Sequence, residues 1–334
     1  MSLVTRSSFT AFVFAAAFPL LAQEAAPAKP KKAPEPQVYD EQADGHKQVA
    51  DALAKAKRDN QRVIIQWGAN WCGWCKWLAG TMHSDQDLAH ELLYEYQLVH
   101  IDVGRFDKHK DLAKELGADF KAIPYLTILD ADGKALVQQN TEPFEINTAD
   151  KHGHDPAKVL ALLKEHEAKP LDATEVLIAG RAAAKAAGKR VFLHFGAPWC
   201  GWCHRLEDWM ARPEIAAVLG KEFVDVKIDI DRMTGGKDVY AQQLAAAGVE
   251  ASGIPWFVFL GEDGKLLANA TGPTGNVGFP YQPEEVEHFG AMLHAAKANL
   301  TAEEIQGLLR SLTENRERDE AKKKAAAAPK QDGQ

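Results

Sequence analysis

The sequence predicts an α/β protein built as two similar units in tandem, each a mixed central sheet flanked by helices. Three observations carry that expectation. Strand-like apolar runs alternate with helical patterns, and each series ends in a hairpin signal, the arrangement of a mixed sheet covered on both faces. Landmarks recur in the same order, separated by 127 to 131 residues: Cys72 and Cys200, Asp102 and Asp229, Pro124 and Pro255, Gly133 and Gly264. The 334 residues are enough for about two domains of ordinary size.

The first unit opens on a helix over residues 49–57 and an apolar strand over 62–67. Cys75, Leu78, Ala79 and Met82 then fall on one helical face. A strand is expected over 98–103 and a helix over 110–116, stopped by Gly117. Strands over 125–129 and 135–138 form a hairpin around Asp132-Gly133, a strong turn signal. A helix over 156–166 closes the unit. The second unit repeats this pattern: a helix over 175–187 stopped by Gly188, a strand over 191–195, and a helix whose inner face carries Cys203, Leu206 and Met210. Strands over 224–230, 256–260 and 266–270 follow, and a helix over 284–299 ends it. The junction at Lys169-Pro170 is short, so the units are expected to touch.

The ends read differently. Arg6 precedes an apolar run over 9–22, the length of a signal-peptide core and too short to span a bilayer. The chain is therefore divided into a signal peptide (1–22), a disordered linker rich in Ala, Lys and Pro (23–37), a first domain (38–168), a second (169–312) and a charged low-complexity tail (313–334). An uncleaved anchor is the other reading of the N-terminus. A net charge of −8 provides no basic excess to neutralise phosphates, so a nucleic-acid partner is not expected.

All four cysteines, Cys72, Cys75, Cys200 and Cys203, lie in Cys-x-x-Cys pairs. Closing so small a loop removes little chain entropy, so the pairs serve chemistry more than stability. A cysteine at the end of a strand and the start of a helix meets unpaired amide groups and the helix dipole, which favour the nucleophilic thiolate. Cys72 and Cys200 are the attacking thiols on this reading, and Cys75 and Cys203 resolve the mixed disulfide. Two such pairs also suit zinc. Because each lies in its own repeat, no metal is expected, and no organic cofactor is needed.

The stretches Gly68-Ala69-Asn70-Trp71-Cys72-Gly73-Trp74-Cys75-Lys76 and Gly196-Ala197-Pro198-Trp199-Cys200-Gly201-Trp202-Cys203-His204 resemble the active site of the thioredoxin superfamily. Ile123-Pro124 and Ile254-Pro255 are similar to that family's cis-proline loop, which the resemblance places opposite the cysteines to dock the substrate chain. The fold implied is two tandem thioredoxin-like domains, in an arrangement similar to that of protein disulfide isomerases. Three features depart from the pattern. Gly-Trp stands between the cysteines. The family's buried acid, six residues before the first cysteine, is replaced by Gln66 and His194. Its lysine on the neighbouring strand falls at Leu98 and Asp225. The resemblance implies that His194 takes the proton of Cys203 while Asp225 orients it.

Every tryptophan lies in or near a motif. Trp67 and Trp209 are expected in the core, whereas Trp71, Trp74, Trp199, Trp202 and Trp256 suggest a docking surface for apolar protein segments. His152-x-His154 reads as a solvated loop, and residues 271–276 as a loop beside the second motif. The expected function is thiol–disulfide exchange on protein substrates outside the cytoplasm, as a reductase or isomerase, in the periplasm or extracellular space. A membrane redox partner is a candidate electron source. The alternative is a non-catalytic module that holds partner proteins through its aromatic surfaces.

Overall fold

Asp44 opens the first helix by accepting the amide of Lys47, and Asn60 closes it in the left-handed conformation (φ 51°). These caps set the bounds of α1 (Gly45–Asp59). There follow β1 (Arg62–Gly68), α2 (Gly73–Ser84), α3 (Gln86–Glu95), β2 (Tyr96–Asp102), α4 (Lys110–Glu115), β3 (Tyr125–Leu129), β4 (Ala135–Asn140), a short hairpin of β5 (Glu145–Asn147) and β6 (His152–His154), and α5 (Pro156–Glu165). The second unit contains α6 (Ala173–Ala187), β7 (Arg190–Gly196), α7 (Gly201–Met210), α8 (Pro213–Glu222), β8 (Phe223–Asp229), α9 (Gly236–Ala246), β9 (Trp256–Leu260), β10 (Leu266–Asn269), a two-residue hairpin of β11 (Thr271–Gly272) and β12 (Gly275–Asn276), α10 (Pro283–Ala296) and α11 (Ala302–Ala327). This computed structural model describes residue 1, residues 37–250 and residues 252–327. The expected signal peptide and nearly all of the expected linker lie outside the described residues.

The sheets run β2-β1-β3-β4 and β10-β9-β7-β8. β1 is parallel to β2 and antiparallel to β3, and β7 stands likewise between β8 and β9. Both central strands are buried on both faces, which explains their continuous apolar sequence. In the first unit Val63, Ile65 and Trp67 face one core while Ile64 belongs to the other. Gln66 and Gly68 share the side of Ile64, because side chains alternate along a strand. In the second unit Phe192, Phe257, Phe259 and Phe289 pack ring against ring, with centroids 4.8 to 6.5 Å apart.

Several elements differ from the sequence reading. Asp85 ends α2 and caps α3, a helix absent from the sequence reading, by accepting the amide of Leu88. α8 adds a helix before β8, whereas α9 after it is the helix that the repeated pattern implies. The chain beyond residue 312 continues as helix through α11. Ile305, Leu308 and Leu312 are buried at helical spacing, and they set a helix that the charged residues then extend. Arg205 pairs with Asp319. Glu222, fully buried, accepts the amides of Ala298, Asn299 and Leu300 and fixes the turn between α10 and α11. Among the described residues no helix is long and apolar enough to cross a membrane.

The two units meet through polar groups. Arg232, after β8, donates to the Asp59 carbonyl (2.6 Å), the Asn60 carbonyl (3.0 Å) and both oxygens of Glu95 (3.0 and 2.6 Å). Lys227 on β8 reaches Asp59 at 2.8 Å. Asn60 donates to the Lys169 carbonyl across the junction at 2.9 Å.

Removing a partner from a buried ion pair leaves a charge without compensation, at a cost of about 3–5 kcal/mol. Arg232→Ala is expected to lose stability of that order, read from the guanidinium unfolding midpoint. Glu91 gives a second expectation. Burial, then the neighbouring Glu167 and Glu95, push its carboxyl from 4.5 up to about 7. The folded state keeps a proton that the unfolded chain releases. This contribution to stability is complete below pH 4.5 and declines as pH rises through about 7. Glu91→Gln is expected to flatten the decline in unfolding midpoint across that range.

Candidate active sites

Each central strand ends in glycine, and one turn later a cysteine begins a helix. The turn is closed by Cys72 N–H on the Ala69 carbonyl and by Cys200 N–H on the Ala197 carbonyl, both at 3.0 Å. Cys72 then caps α2 and Cys200 caps α7. In each, Sγ accepts the amide of the cysteine three residues on, at 3.1 Å. Both pairs are disulfide bonded, with Cα atoms 5.3 and 5.2 Å apart. Cys72 and Cys200 are slightly more exposed than Cys75 and Cys203. On reduction, a thiolate at Cys72 or Cys200 would sit where helix amides already point.

The first Ile-Pro segment reaches its cysteine, and the second borders its motif at Trp202. Cys72 Sγ lies 3.6 Å from the Ile123 carbonyl oxygen, and both Ile123-Pro124 and Ile254-Pro255 are cis. Thr141 donates its hydroxyl to the Pro124 carbonyl at 2.8 Å, and Asn276 donates its side-chain amide to that of Pro255 at 2.9 Å. Ile254 and Pro255 line a groove of about 270 Å³ with Trp202, Asn276, Phe279 and Tyr281. Residues 271–276, which form β11 and β12, therefore do border the second motif.

Trp71, Trp199 and Trp202 are about half exposed. Trp71 donates to the Gly104 carbonyl beneath the Arg105 guanidinium, whereas Trp199 donates to Asp231. Arg205 lies over Trp202, 4.8 Å from the ring centroid. Trp256 departs from expectation. It is fully buried, donates to Thr271 and stacks near Phe195, so it belongs to the core and offers no docking surface. Trp67 and Trp209 are buried. His152-x-His154 also departs: it forms β6, where His152 stacks on Trp77 and His154 is buried against Trp74. Burial lowers the His154 imidazole to about 4, so it stays neutral beside the first motif.

Beneath the cysteines the units diverge. Gln66, fully buried, donates to the Tyr39 hydroxyl (2.7 Å) and the Cys75 carbonyl (2.9 Å). Tyr39 packs against both cysteines. Burial holds its phenol well above the ordinary range, against the Gln66 hydrogen bond, so it stays protonated. In the second unit His194 Nε2 lies 3.0 Å from Asp225 Oδ1, the expected contact. The strand register adds a further neighbour in each domain. Gln66 is paired with His100, and His194 with Lys227, two residues beyond Leu98 and Asp225. Lys227 is 2.8 Å from Glu207, which is buried on α7 one turn after Cys203. Burial opposes the Lys227 charge, but Glu207 and Asp59 outweigh it and raise its pKa.

Comparison with known families matches residues 44–131 to a model described as thioredoxin-like. Residues 157–319 match the model Thioredox_DsbH, described as "Protein of unknown function, DUF255". The chain belongs to the thioredoxin superfamily. It is 27% identical over 209 residues to "Protein disulfide-isomerase erp38" of Neurospora crassa, covering 60% of this chain and 51% of that one. A Datisca glomerata "Protein disulfide-isomerase" is 27% identical over 156 residues, covering 46% of this chain and 29% of that one. The chain thus spans about half or less of the length of these curated relatives. Among solved structures, a Xylella fastidiosa Temecula1 disulphide isomerase is 28% identical, covering 40% of this chain and 98% of that one, with a TM-score of 0.35.

Both thioredoxin-like domains contain residues that motif reading passes over. Tyr39 lies ahead of the repeat. Glu207 announces itself only as an acid on the apolar face of Cys203, Leu206 and Met210. Gly68 of the first thioredoxin-like domain yields a direct expectation. A Cβ there would lie 2.1 Å from Tyr39 Oη, whereas one at Gly80 meets nothing within 4 Å. Gly68→Ala is expected to expel Tyr39 and lower the unfolding midpoint, with Gly80→Ala unchanged or raised by its better helix propensity.

Proposed function

We propose that the chain is a thiol–disulfide oxidoreductase, reductase or isomerase, acting on protein disulfides outside the cytoplasm. One observation carries this reading: in each domain a helix-capping cysteine is bonded to a buried second cysteine. The 3.6 Å approach of Cys72 to Ile123 adds a place for a substrate chain at the first pair. In the reduced state, the Cys72 or Cys200 thiolate attacks a substrate disulfide, forming a mixed disulfide and releasing one substrate thiolate, which takes up a proton. Cys75 or Cys203 then loses its proton and attacks the mixed disulfide, so that the second substrate sulfur leaves. Two electrons have passed to the substrate, and the site is left as the disulfide seen here. A dithiol donor, proposed to be a membrane redox partner, restores it.

Pro124 and Pro255, with Ile123 and Ile254, are proposed to dock the substrate backbone, and Trp71, Trp74, Trp199 and Trp202 its apolar side chains. The half-exposed Trp71, Trp199 and Trp202 would equally suit a module that holds partners without chemistry. Insulin reduction separates the two readings. Wild type with a dithiol donor is expected to precipitate insulin chains. Cys72→Ser and Cys200→Ser are each expected to lower the rate, and together to abolish it. Cys75→Ser and Cys203→Ser are expected to accumulate reducible covalent complexes with substrate. Wild-type protein with no turnover supports the binding module instead.

A further inference from the structure

The glycines that end β1 and β7 each leave a gap over the resolving cysteine, and the two domains fill it differently. At Gly68 the gap holds the Tyr39 hydroxyl, with Cys75 Sγ 3.0 Å from the position a Cβ would take. At Gly196 the corresponding position is 3.4 Å from Cys203 Sγ and 3.5 Å from Glu207 Oε1. One domain thus sets a neutral phenol beside its resolving sulfur and the other a carboxyl group. Glu207 is buried, its side chain about 2% exposed, and its oxygens are held by ion pairs: Lys227 at 2.8 Å and Arg58 at 3.2 Å. Arg58 belongs to α1 of the first domain, where it also pairs with Asp59 at 3.0 Å.

We propose that Glu207 is the proton acceptor for Cys203, and that Arg58 of the first domain tunes it, so that the second site is completed by its neighbour. This rests on the exchange function proposed above and names the residues that govern it. Once the mixed disulfide has formed on Cys200, the Cys203 proton passes to Glu207. The Cys203 thiolate attacks Cys200 Sγ; the Cys200–Cys203 bond forms and the Cys200–substrate bond breaks. The departing substrate thiolate takes up a proton, and Glu207 returns to its carboxylate by releasing its own to solvent.

A carboxylate alone in that gap would oppose the thiolate it is meant to generate, since like charges in a poorly solvated space repel. Arg58 and Lys227 offset this. Their positive charges, paired with Glu207, lessen the repulsion as Cys203 ionises. The other groups facing this region are Asp59 from α1, His194 from β7, Asp225 and Asp229 from β8, and His204 and Asp208 on α7 itself. Asp59 is bound to Lys227 and Arg58, Asp225 to His194, and Asp208 lies 3.8 Å from Arg58. Asp229 accepts backbone amides of Asp231 and Arg232, and His204 lies 4.0 Å from Glu207. His194 and Glu207 border a common pocket, yet it is Glu207 that shares the gap with Cys203.

The test uses the full chain with Cys72, Cys75 and Cys200 replaced by Ser, leaving Cys203 as the sole thiol. Its ionisation is followed by thiolate ultraviolet absorbance against pH. Glu207→Gln is expected to move the midpoint down, with about tenfold more thiolate at a given pH. Arg58→Gln is expected to move it up, and Arg58→Lys to restore it. A residue that merely holds the fold would shift the unfolding transition without producing opposite signs in this titration. Should Glu207→Gln fail to fold, the Arg58 pair alone decides, since those variants leave the second domain's own residues untouched. Unmoved midpoints in the Glu207 or Arg58 variants overturn the proposal. So does a shift produced by His194→Gln in their place, which would return the role to His194. If the titration responds as stated but wild type turns over no disulfide substrate, the proposed function fails while the proton pairing stands.

Discussion

A sulfur atom that caps a helix is the constraint on which both halves of this molecule depend. The first amides of α2 and α7 need an acceptor, and Cys72 and Cys200 supply it at 3.1 Å. That geometry exists only if the chain leaves the sheet at one point and turns at once. A central strand buried on both faces fixes the point of departure, and a glycine at its end allows the helix to approach closely. The helix dipole then favours negative charge on the same sulfur. Packing and reactivity are thus two readings of one arrangement, and the duplication of the sheet duplicates the chemistry.

The duplication is not complete below the sulfurs. Evolution of a repeat keeps what the fold requires and lets the remainder drift. The strands, the caps and the Ile-Pro segments stay matched, while the pockets under Cys75 and Cys203 have become a phenol with an amide and a carboxylate within an ion-pair network. The second pocket draws two of its charged groups, Arg58 and Asp59, from the first domain. Such sharing makes the pair of domains a single structural object rather than two copies on one chain.

Much of this is legible in the amino-acid order, and what escapes does so for identifiable reasons. The central strands show as apolar runs because they are buried on both faces, and Gly188 marks the end of α6 because its φ of 63° suits glycine. Register does not show. Period-two alternation identifies a strand but not its offset from a neighbour, which is why the pairing of Gln66 with His100 and of His194 with Lys227 appears only in the structure. Trp256 is misplaced because proximity to a motif in sequence says nothing about which side of the sheet a residue faces. β6 reads as a solvated loop because its burial comes from Trp74 and Trp77 on another element. Tyr39 and Glu207 carry no motif at all; their meaning comes from two glycines that leave them room.

The contact between the domains has a consequence for how such chains diverge. Two of the four bonds from Arg232 end on main-chain carbonyls, those of Asp59 and Asn60. A carbonyl is present whatever side chain occupies the position. What must persist is the left-handed turn at Asn60 that aims those carbonyls outward. Statistical searches for co-varying residue pairs would therefore register Arg232 against Glu95 and find little at α1. Homologues could replace the side chains at the end of that helix while keeping the joint intact, and an arginine after the second strand of the second domain would be the surviving trace of the joint.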